Sequence, residues 1–305
     1  MITFSRRIYR VIDLLNFYLQ RKIFRQKIPL LASFKLTYRC NLACRGCPFY
    51  LRAHEPDSHM SWSKAVNVLS VLKNTGAQIV IFEGGEPLLW KDGNRGIVDL
   101  VSYAKTLFPT VGVTTNGTVA LDVPADVLWV SIDGLKATHD KLRNNSFDSV
   151  LMNLKAATHP RVFIHFTMNR ENWGELGQLL ELLKELPVVK GLTLQLFYPY
   201  GQGEAPLVLL PAERKAALEA AIRLKTKHRI LNSRNRLRAI IDNNWHCHDD
   251  ILINVDPNGA ITRGCYVKSR GKINCDACGF TPVAEASGAI DLNVGSLIVG
   301  WRTFL

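Results

Sequence analysis

Short apolar segments alternate with amphipathic ones through the middle of the chain. Helical spacing of apolar residues predicts helices at 61–74, 93–107, 147–158, 173–186 and 211–227, the last with Pro211 in its first turn. Between them, segments rich in β-branched and aromatic residues are predicted to be strands: 34–38, 78–82, 110–115, 127–132, 162–168 and 191–197. This alternation is typical of βαβ units with a mostly parallel sheet, which places the chain in the α/β class.

The first 23 residues have a different pattern. Apolar residues recur at helical spacing, at Phe4, Ile8, Val11, Leu15 and Tyr18. Arginines fall mostly on another side of the same helix: Arg6, Arg7, Arg10, Arg21 and Arg25. An apolar stripe beside an arginine face suits a helix that lies on an anionic membrane surface. The alternative is a helix packed on the rest of the fold with its arginines in solvent.

Composition narrows the class of protein. The chain has 305 residues, 47% hydrophobic and 21% charged, which fits a folded globular protein and excludes a disordered or collagen-like one. No apolar run reaches the roughly 18 residues that a membrane span needs, and no secretory signal is expected. The net charge is +12, and residues 1–28 carry +6 of it, with seven basic residues and one acidic residue. This charge favours an anionic partner. No module for nucleic-acid binding is visible, so none is expected.

The seven cysteines form two separate groups. Three lie near the start, in the spacing CxxxCxxC at Cys40, Cys44 and Cys47, and four lie near the end. Three thiolates on one loop can bind three corners of a metal cluster and leave one position open, and soft thiolates favour zinc or iron–sulfur clusters. From spacing alone, three reduced cysteines or three of four zinc ligands are alternatives.

Further motifs follow in order at the ends of the predicted strands. They are Phe82-Glu-Gly84-Gly85-Glu86-Pro87, Thr114-Thr115-Asn116-Gly117 and Ser131-Ile-Asp133-Gly134, followed by His139, Arg143 and Phe147. Together with the cysteine motif and the Pro48-Phe49 that follows it, this order resembles the radical S-adenosylmethionine (radical SAM) superfamily. The resemblance covers roughly residues 33–200 and implies a partial (β/α)6 TIM-like barrel.

The resemblance also implies a mechanism. Cys40, Cys44 and Cys47 would bind a catalytic 4Fe–4S cluster, and SAM would chelate the fourth iron. Electron transfer would cleave SAM to methionine and a 5′-deoxyadenosyl radical, which abstracts a substrate hydrogen. The protein would position the reactants and exclude water.

The remaining motif residues are predicted SAM contacts, by the same resemblance. They are Gly84, Gly85, Glu86, Asn116, Ser131 and Arg143. Paired glycines permit close approach of the backbone to a ligand, and arginine offers forked donors to a carboxylate. Ordinary turns, a buried serine and a surface arginine are the alternatives. Gln195 and Phe197, at the end of the sixth strand, are candidates for lining the pocket.

The second cysteine group surrounds a predicted β-hairpin. Two apolar strands flank Asp256-Pro-Asn-Gly259, so the hairpin brings Cys247 and Cys265 together, and Cys275 and Cys278 supply a CxxC pair. The arrangement resembles the SPASM or twitch extension of radical SAM proteins, although Cys265 lies six positions after the glycine instead of five. It implies a second 4Fe–4S cluster, with a zinc ribbon as the alternative. His246 and His248 are expected to be neighbours of the site.

These features predict three regions and one function. The regions are a basic amphipathic helix (1–29), a radical SAM core barrel (30–230) and a small cysteine-rich cap with the auxiliary site (231–305). The function is abstraction of hydrogen from a lipid or hydrophobic metabolite at the membrane surface; a peptide-modifying enzyme and a non-catalytic zinc or iron–sulfur protein are the alternatives. The partners are SAM, the substrate and an electron donor such as flavodoxin or ferredoxin. Reduced cysteines indicate a cytoplasmic location. The basic amphipathic start predicts that the protein is peripheral on the membrane.

Overall fold

The chain folds around one twisted sheet, seen in a computed structural model that describes residues 4–201, 204–268, 270–276 and 278–305, with side chains from residue 8 onward. Six parallel strands carry the barrel, in the spatial order in which they occur along the chain. They are β1 (Leu31–Thr37), β2 (Ile79–Gly84), β5 (Thr110–Thr115), β6 (Val127–Ser131), β7 (Val162–Met168) and β8 (Val189–Leu196). The partial (β/α)6 TIM-like barrel predicted from the sequence is confirmed.

Helices cover the outer face of these strands. They are α2 (Trp62–Asn74), α3 (Ile97–Leu107), α4 (Lys136–Leu142), α5 (Phe147–Ala156), α6 (Leu176–Lys184), α7 (Pro211–Leu224) and α8 (Arg234–Ile241). Alternate strand residues such as Ala32 and Phe34 pack against them in the main core, whereas Ser33 and Lys35 point into the barrel. The predicted helix over 93–107 begins at Ile97, because a short hairpin, β3 (Lys91–Asp92) and β4 (Arg95–Gly96), precedes it.

The predicted hairpin of the C-terminal region is present and extends the barrel sheet. Strands β9 (Leu252–Val255) and β10 (Ile261–Arg263) pair antiparallel, and β9 pairs in parallel with β1. Two helices that the sequence patterns did not predict follow: α9 (Thr281–Ile290) and α10 (Val294–Phe304). The hydroxyl of Thr281 donates to the backbone carbonyl of Leu194 in β8, so the C-terminal region contacts both edges of the six-stranded barrel.

The N-terminal helix, α1 (Phe4–Lys22), is present, but two of its arginines do not point into solvent as expected. Arg10 is 3% exposed and pairs with Asp126 at 2.6 Å, and Arg21 pairs with Asp250 at 2.9 Å. The prediction that these arginines form an outward face is therefore wrong for both residues. Asp126, which is buried, and Asp250, which is half-buried, attract them inward. Ile8 and Leu15 of the apolar stripe are exposed, whereas Tyr18 turns inward and donates to the backbone oxygen of Ala289. The side chains of Arg6 and Arg7 lie outside the described residues.

No helix in the described ranges is both long enough and apolar enough to cross a bilayer.

Candidate active site

The loop after β1 holds the first three cysteines at the carboxyl end of the barrel. Each of the thiols of Cys40, Cys44 and Cys47 influences the ionisation of at least one of the others, so the three lie close together. Gly46 has φ of +72°, and a Cβ at this position would lie 2.7 Å from the ring of Phe197. The loop therefore needs glycine between its second and third cysteines in order to pack on β8.

Burial and a nearby cation act in opposite directions on the ionisation of these thiols. Burial raises the pKa of the Cys44 thiol to about 11, and the Arg143 guanidinium acts in the opposite direction. Among the described residues, no three Cys, His, Asp or Glu side chains converge on a position for a single metal ion. A four-iron cluster does not require such convergence, because each thiolate binds a different iron. The soft donor set on an accessible loop fits that group.

The glycine-rich motif after β2 lies directly against the cysteine loop. A Cβ on Gly85 would lie 2.1 Å from the backbone oxygen of Arg39, so no larger residue fits there. Gly84 and Gly85 line the cavity described below, but the Glu86 side chain does not. Its carboxylate is fully buried and accepts hydrogen bonds from the Thr115 hydroxyl and from the backbone N–H groups of Asn116 and Leu88. The carboxylate therefore joins two loops within the protein, and a contact between Glu86 and SAM stays a prediction.

The other three predicted contact residues do meet at the same end of the barrel. The Asn116 amide lies 3.6 Å from the Cys40 sulfur and 2.9 Å from the Asn41 side-chain oxygen. Ser131 and Arg143 line the cavity together with Asn116. The Arg143 side chain is only 15% exposed and is held by an ion pair with Asp133, so the alternative of a surface arginine is wrong.

A cavity of about 600 Å³ occupies the barrel interior. This volume lies within the range of roughly 300–1,000 Å³ that is usual for ligand pockets. Its lining includes the three cysteines of the loop at the carboxyl end, and it includes Gln195 and Phe197, as the sequence predicted. Side chains normally fill the interior of such barrels. An open interior next to the cysteine loop therefore marks the place where a substrate can bind.

The cavity also contains charged residues that the sequence did not predict as site residues. Lys35 is 1% exposed, its ammonium lies 3.2 Å from Glu83 and 3.4 Å from Asn254, and burial lowers its pKa to about 8. Arg270 donates to Asp256 at 2.7 Å, while its buried Nε has no hydrogen-bond partner among the described residues. A lysine in the middle of an otherwise apolar strand was the available signal, because alternation places Lys35 on the inner face with Ser33.

The second cysteine group assembles around the hairpin. The thiol of Cys247 is influenced by those of Cys265, Cys275 and Cys278, and burial raises the pKa of the Cys247 thiol to about 12. The nearby His248 imidazole contacts Asp291 at 2.7 Å. The four thiols therefore lie near one another, beside the loop that carries Tyr266 and Arg270, although no three of them converge on one metal position among the described residues.

A family model described as the Radical SAM superfamily matches residues 34–191, just over half of the chain. The chain belongs to the radical SAM superfamily and is an enzyme of that class. Membership implies a 4Fe–4S cluster and SAM, and it contradicts the alternative of a non-catalytic protein.

Similar proteins span several chemistries. An AdoMet-dependent heme synthase of Methanosarcina barkeri is 27% identical over 84% of this chain and 78% of its own length. An Fe-coproporphyrin III synthase of the same species is 28% identical, and the match covers 50% of this chain and 40% of that protein. The sporulation killing factor maturation protein SkfB of Bacillus subtilis is 29% identical over 50% of this chain and 39% of its own length.

Solved structures agree on the fold. SuiB of Streptococcus suis, bound to the precursor peptide SuiA, superimposes with a TM-score of 0.64 over 93% of this chain and 69% of that chain, at 14% identity. The enzyme anSMEcpe with bound AdoMet gives a TM-score of 0.59 over 78% of this chain and 74% of that chain, at 18% identity. At these identities the likeness concerns the architecture.

Proposed function

We propose that this radical SAM enzyme abstracts hydrogen from a lipid or another hydrophobic metabolite that binds inside the barrel. The carrying observation is the cavity of about 600 Å³, which runs from the cysteine loop between largely apolar walls that include Ile79, Ile81 and Trp129. When bound, the cluster and SAM supply the electron transfer and the radical. The chain's own residues orient the reactants and keep water out.

Cys40, Cys44 and Cys47 hold the cluster in this proposal. Gly84, Gly85, Asn116, Ser131 and Arg143 receive SAM, because all five line the cavity beside that loop. Arg143 is fixed by Asp133 and keeps further guanidinium N–H groups for an anion, which suits the carboxylate of SAM. Glu86 acts as a positioning residue that holds the backbone of Asn116.

The second cysteine group binds an auxiliary 4Fe–4S cluster in this proposal, as in SPASM or twitch extensions. Cys247, Cys265, Cys275 and Cys278 supply four soft ligands, and His248 is engaged by Asp291. The division into regions 1–29, 30–230 and 231–305 belongs to the same proposal. All seven cysteines are free thiols, which suits a reducing cytoplasm and an electron donor such as flavodoxin or ferredoxin.

A peptide is the second candidate substrate. The names of two similar proteins support it: SkfB is a maturation protein, and SuiB was solved with a precursor peptide. A peptide would bind in the same cavity, and the polar cluster of Lys35, Glu83 and Arg270 offers partners for backbone or charged groups.

Isotope transfer tests the function and separates the two substrates. The reconstituted enzyme is reduced without oxygen, with SAM and either a perdeuterated bacterial lipid extract or a deuterated peptide fraction. We expect deuterium in 5′-deoxyadenosine with the lipid extract and none in a Cys44→Ala variant. Deuterium from the peptide fraction alone would reject the lipid proposal. Formation of 5′-deoxyadenosine that carries no deuterium from the lipid extract or from the peptide fraction would reject both substrate classes.

A further inference from the structure

The cavity extends beyond the cysteine loop to the opposite end of the barrel. Gln78 and Pro109 precede β2 and β5, and both line it at the amino ends of the strands. Glu83, Trp129 and His165 line its middle part. β1 has seven residues and is about 23 Å long at 3.3 Å per residue. Because barrel strands tilt by about 36°, the interior is about 19 Å long. The cavity, called the passage below, therefore reaches towards a second end of the barrel, far from the SAM-binding residues, where Trp129 packs with Phe163 and Phe304.

Helices α1 and α10 cover that second end. Leu14 and Tyr18 line the cavity from α1, and Gly300 and Trp301 line it from α10. Arg10 joins the two helices to the barrel, because its guanidinium donates to the backbone oxygens of Pro109 at 2.6 Å and Phe304 at 3.2 Å. An opening between these helices would connect the passage with the surface.

The outer faces of both helices are apolar. On α1 and the residue after it, the exposed positions recur at helical spacing and are 45 to 68% exposed: Ile8, Ile12, Leu15, Leu19 and Ile23. On α10, Val294, Ile298 and Trp301 follow the same spacing and are 46 to 69% exposed. Apolar side chains grouped in this way mark a contact surface with a partner or a membrane.

Basic residues accompany this apolar surface. Lys22, Arg25 and Lys27 are exposed at the end of α1, and Arg302 is exposed on α10. Residues 1–28 carry a net charge of +6, to which the inward-facing Arg10 and Arg21 contribute two positive charges. A bilayer with anionic headgroups complements such a surface, because it attracts lysine and arginine side chains that lie near it.

We propose that α1 and α10 rest on an anionic lipid surface, and that the hydrocarbon chain of a membrane lipid enters the barrel between them, at the amino ends of the strands. The proposal rests on the proposed function, since it supplies the route by which a lipid reaches the cysteine loop. The passage length suits a long hydrocarbon chain, and SAM occupies the opposite end.

Filling the entrance tests the route. A Cβ on Gly300 would meet no heavy atom within 4 Å, so Gly300→Phe adds a ring at the entrance without a backbone clash. Gly174 is equally open but lies outside the cavity, which makes Gly174→Phe the matched control. The probe is a dansyl-labelled long-chain fatty acid, titrated into the cluster-loaded protein. We expect about tenfold weaker binding in Gly300→Phe alone. Equal affinity in both variants would overturn the route.

Vesicle flotation tests the surface. The full chain is floated with phosphatidylglycerol–phosphatidylcholine vesicles and with pure phosphatidylcholine vesicles. Ile12→Glu and Leu15→Glu place a charge on the apolar face, whereas Gln20→Glu adds the same charge beside it. We expect flotation with the anionic vesicles only, lost in the first two variants and kept in the third. Equal flotation of all variants, or none by the unmodified chain, would overturn the surface.

The two proposals fail separately. Wild-type protein that produces 5′-deoxyadenosine but neither binds the fatty-acid probe nor floats would refute the entrance and leave the radical chemistry standing. Protein that binds and floats but does not cleave SAM would refute the proposed function alone.

Discussion

Glu86 and Arg143 are buried charged residues with different tasks at the same end of the barrel. The Glu86 carboxylate accepts hydrogen bonds from three donors within the protein, whereas Arg143 has one carboxylate partner and lines the cavity. The sequence motifs predicted both residues as SAM contacts and did not show that their hydrogen-bond partners differ. The distinction comes from hydrogen-bond partners such as Thr115, 29 positions away in the chain, which no local pattern reveals.

Replacing Glu86 affects stability more than SAM binding. In Glu86→Gln an amide N–H₂ must face a backbone N–H, so a buried donor loses its acceptor. We expect a loss of about 1–3 kcal/mol in the free energy of unfolding, measured by urea titration. Glu55→Gln, at an exposed ion pair with Arg52, serves as the control and changes little. An unchanged urea midpoint together with lost SAM affinity would restore a direct role in SAM binding.

Replacing Arg143 should have the reverse effect. Arg143→Lys keeps the charge but loses the planar fork that can serve Asp133 and an incoming carboxylate together. We expect SAM affinity, measured by equilibrium dialysis on cluster-loaded protein, to fall about tenfold. Arg170→Lys, in a surface pair with Glu213, is the control. Equal SAM affinity in both variants would remove Arg143 from the site.

At the scale of elements, the spacing of apolar residues predicted that α1 is an amphipathic helix but not which of its faces packs inward. The pattern identified an amphipathic helix with two faces, and both faces exist. Which one packs inward depends on Asp126 and Asp250, more than 100 residues further along the chain. The barrel strands were predictable because their burial follows local alternation, whereas α9 and α10 owe their burial to contacts with each other, with α8 and with β8.

The inward arginine of α1 can be tested directly. Arg10→Met leaves Asp126 buried with Lys105 at 3.2 Å and without its closest partner. We expect a loss of roughly 3 kcal/mol in the free energy of unfolding, because removing one member of a buried ion pair exposes the cost of the other. Lys22→Met at an exposed position serves as the control. Adding Asp126→Asn to Arg10→Met should recover part of the lost stability. An Arg10→Met variant as stable as the Lys22→Met control would contradict the docking of α1.

At the scale of the whole molecule, the fold combines two groups of cysteines and one long cavity. The cysteine loop and the C-terminal region are also in contact, because Phe49 stacks on Tyr38 with ring centroids 5.4 Å apart, and Tyr38 donates to Asp256 beyond β9. Spacing predicted each cysteine group by itself. The cavity depends on side chains from all six barrel strands, so it became visible only in the folded chain.

The central claim is that two cysteine groups bind separate clusters and that only the first cleaves SAM. The most direct measurement combines iron and zinc content per chain with 5′-deoxyadenosine formation, for the wild type and for a Cys40→Ala, Cys44→Ala, Cys47→Ala variant reconstituted without oxygen. We predict about eight irons in the wild type and about four in the variant, which forms no 5′-deoxyadenosine. About four irons with one zinc in the wild type, or 5′-deoxyadenosine from the variant, would contradict this account.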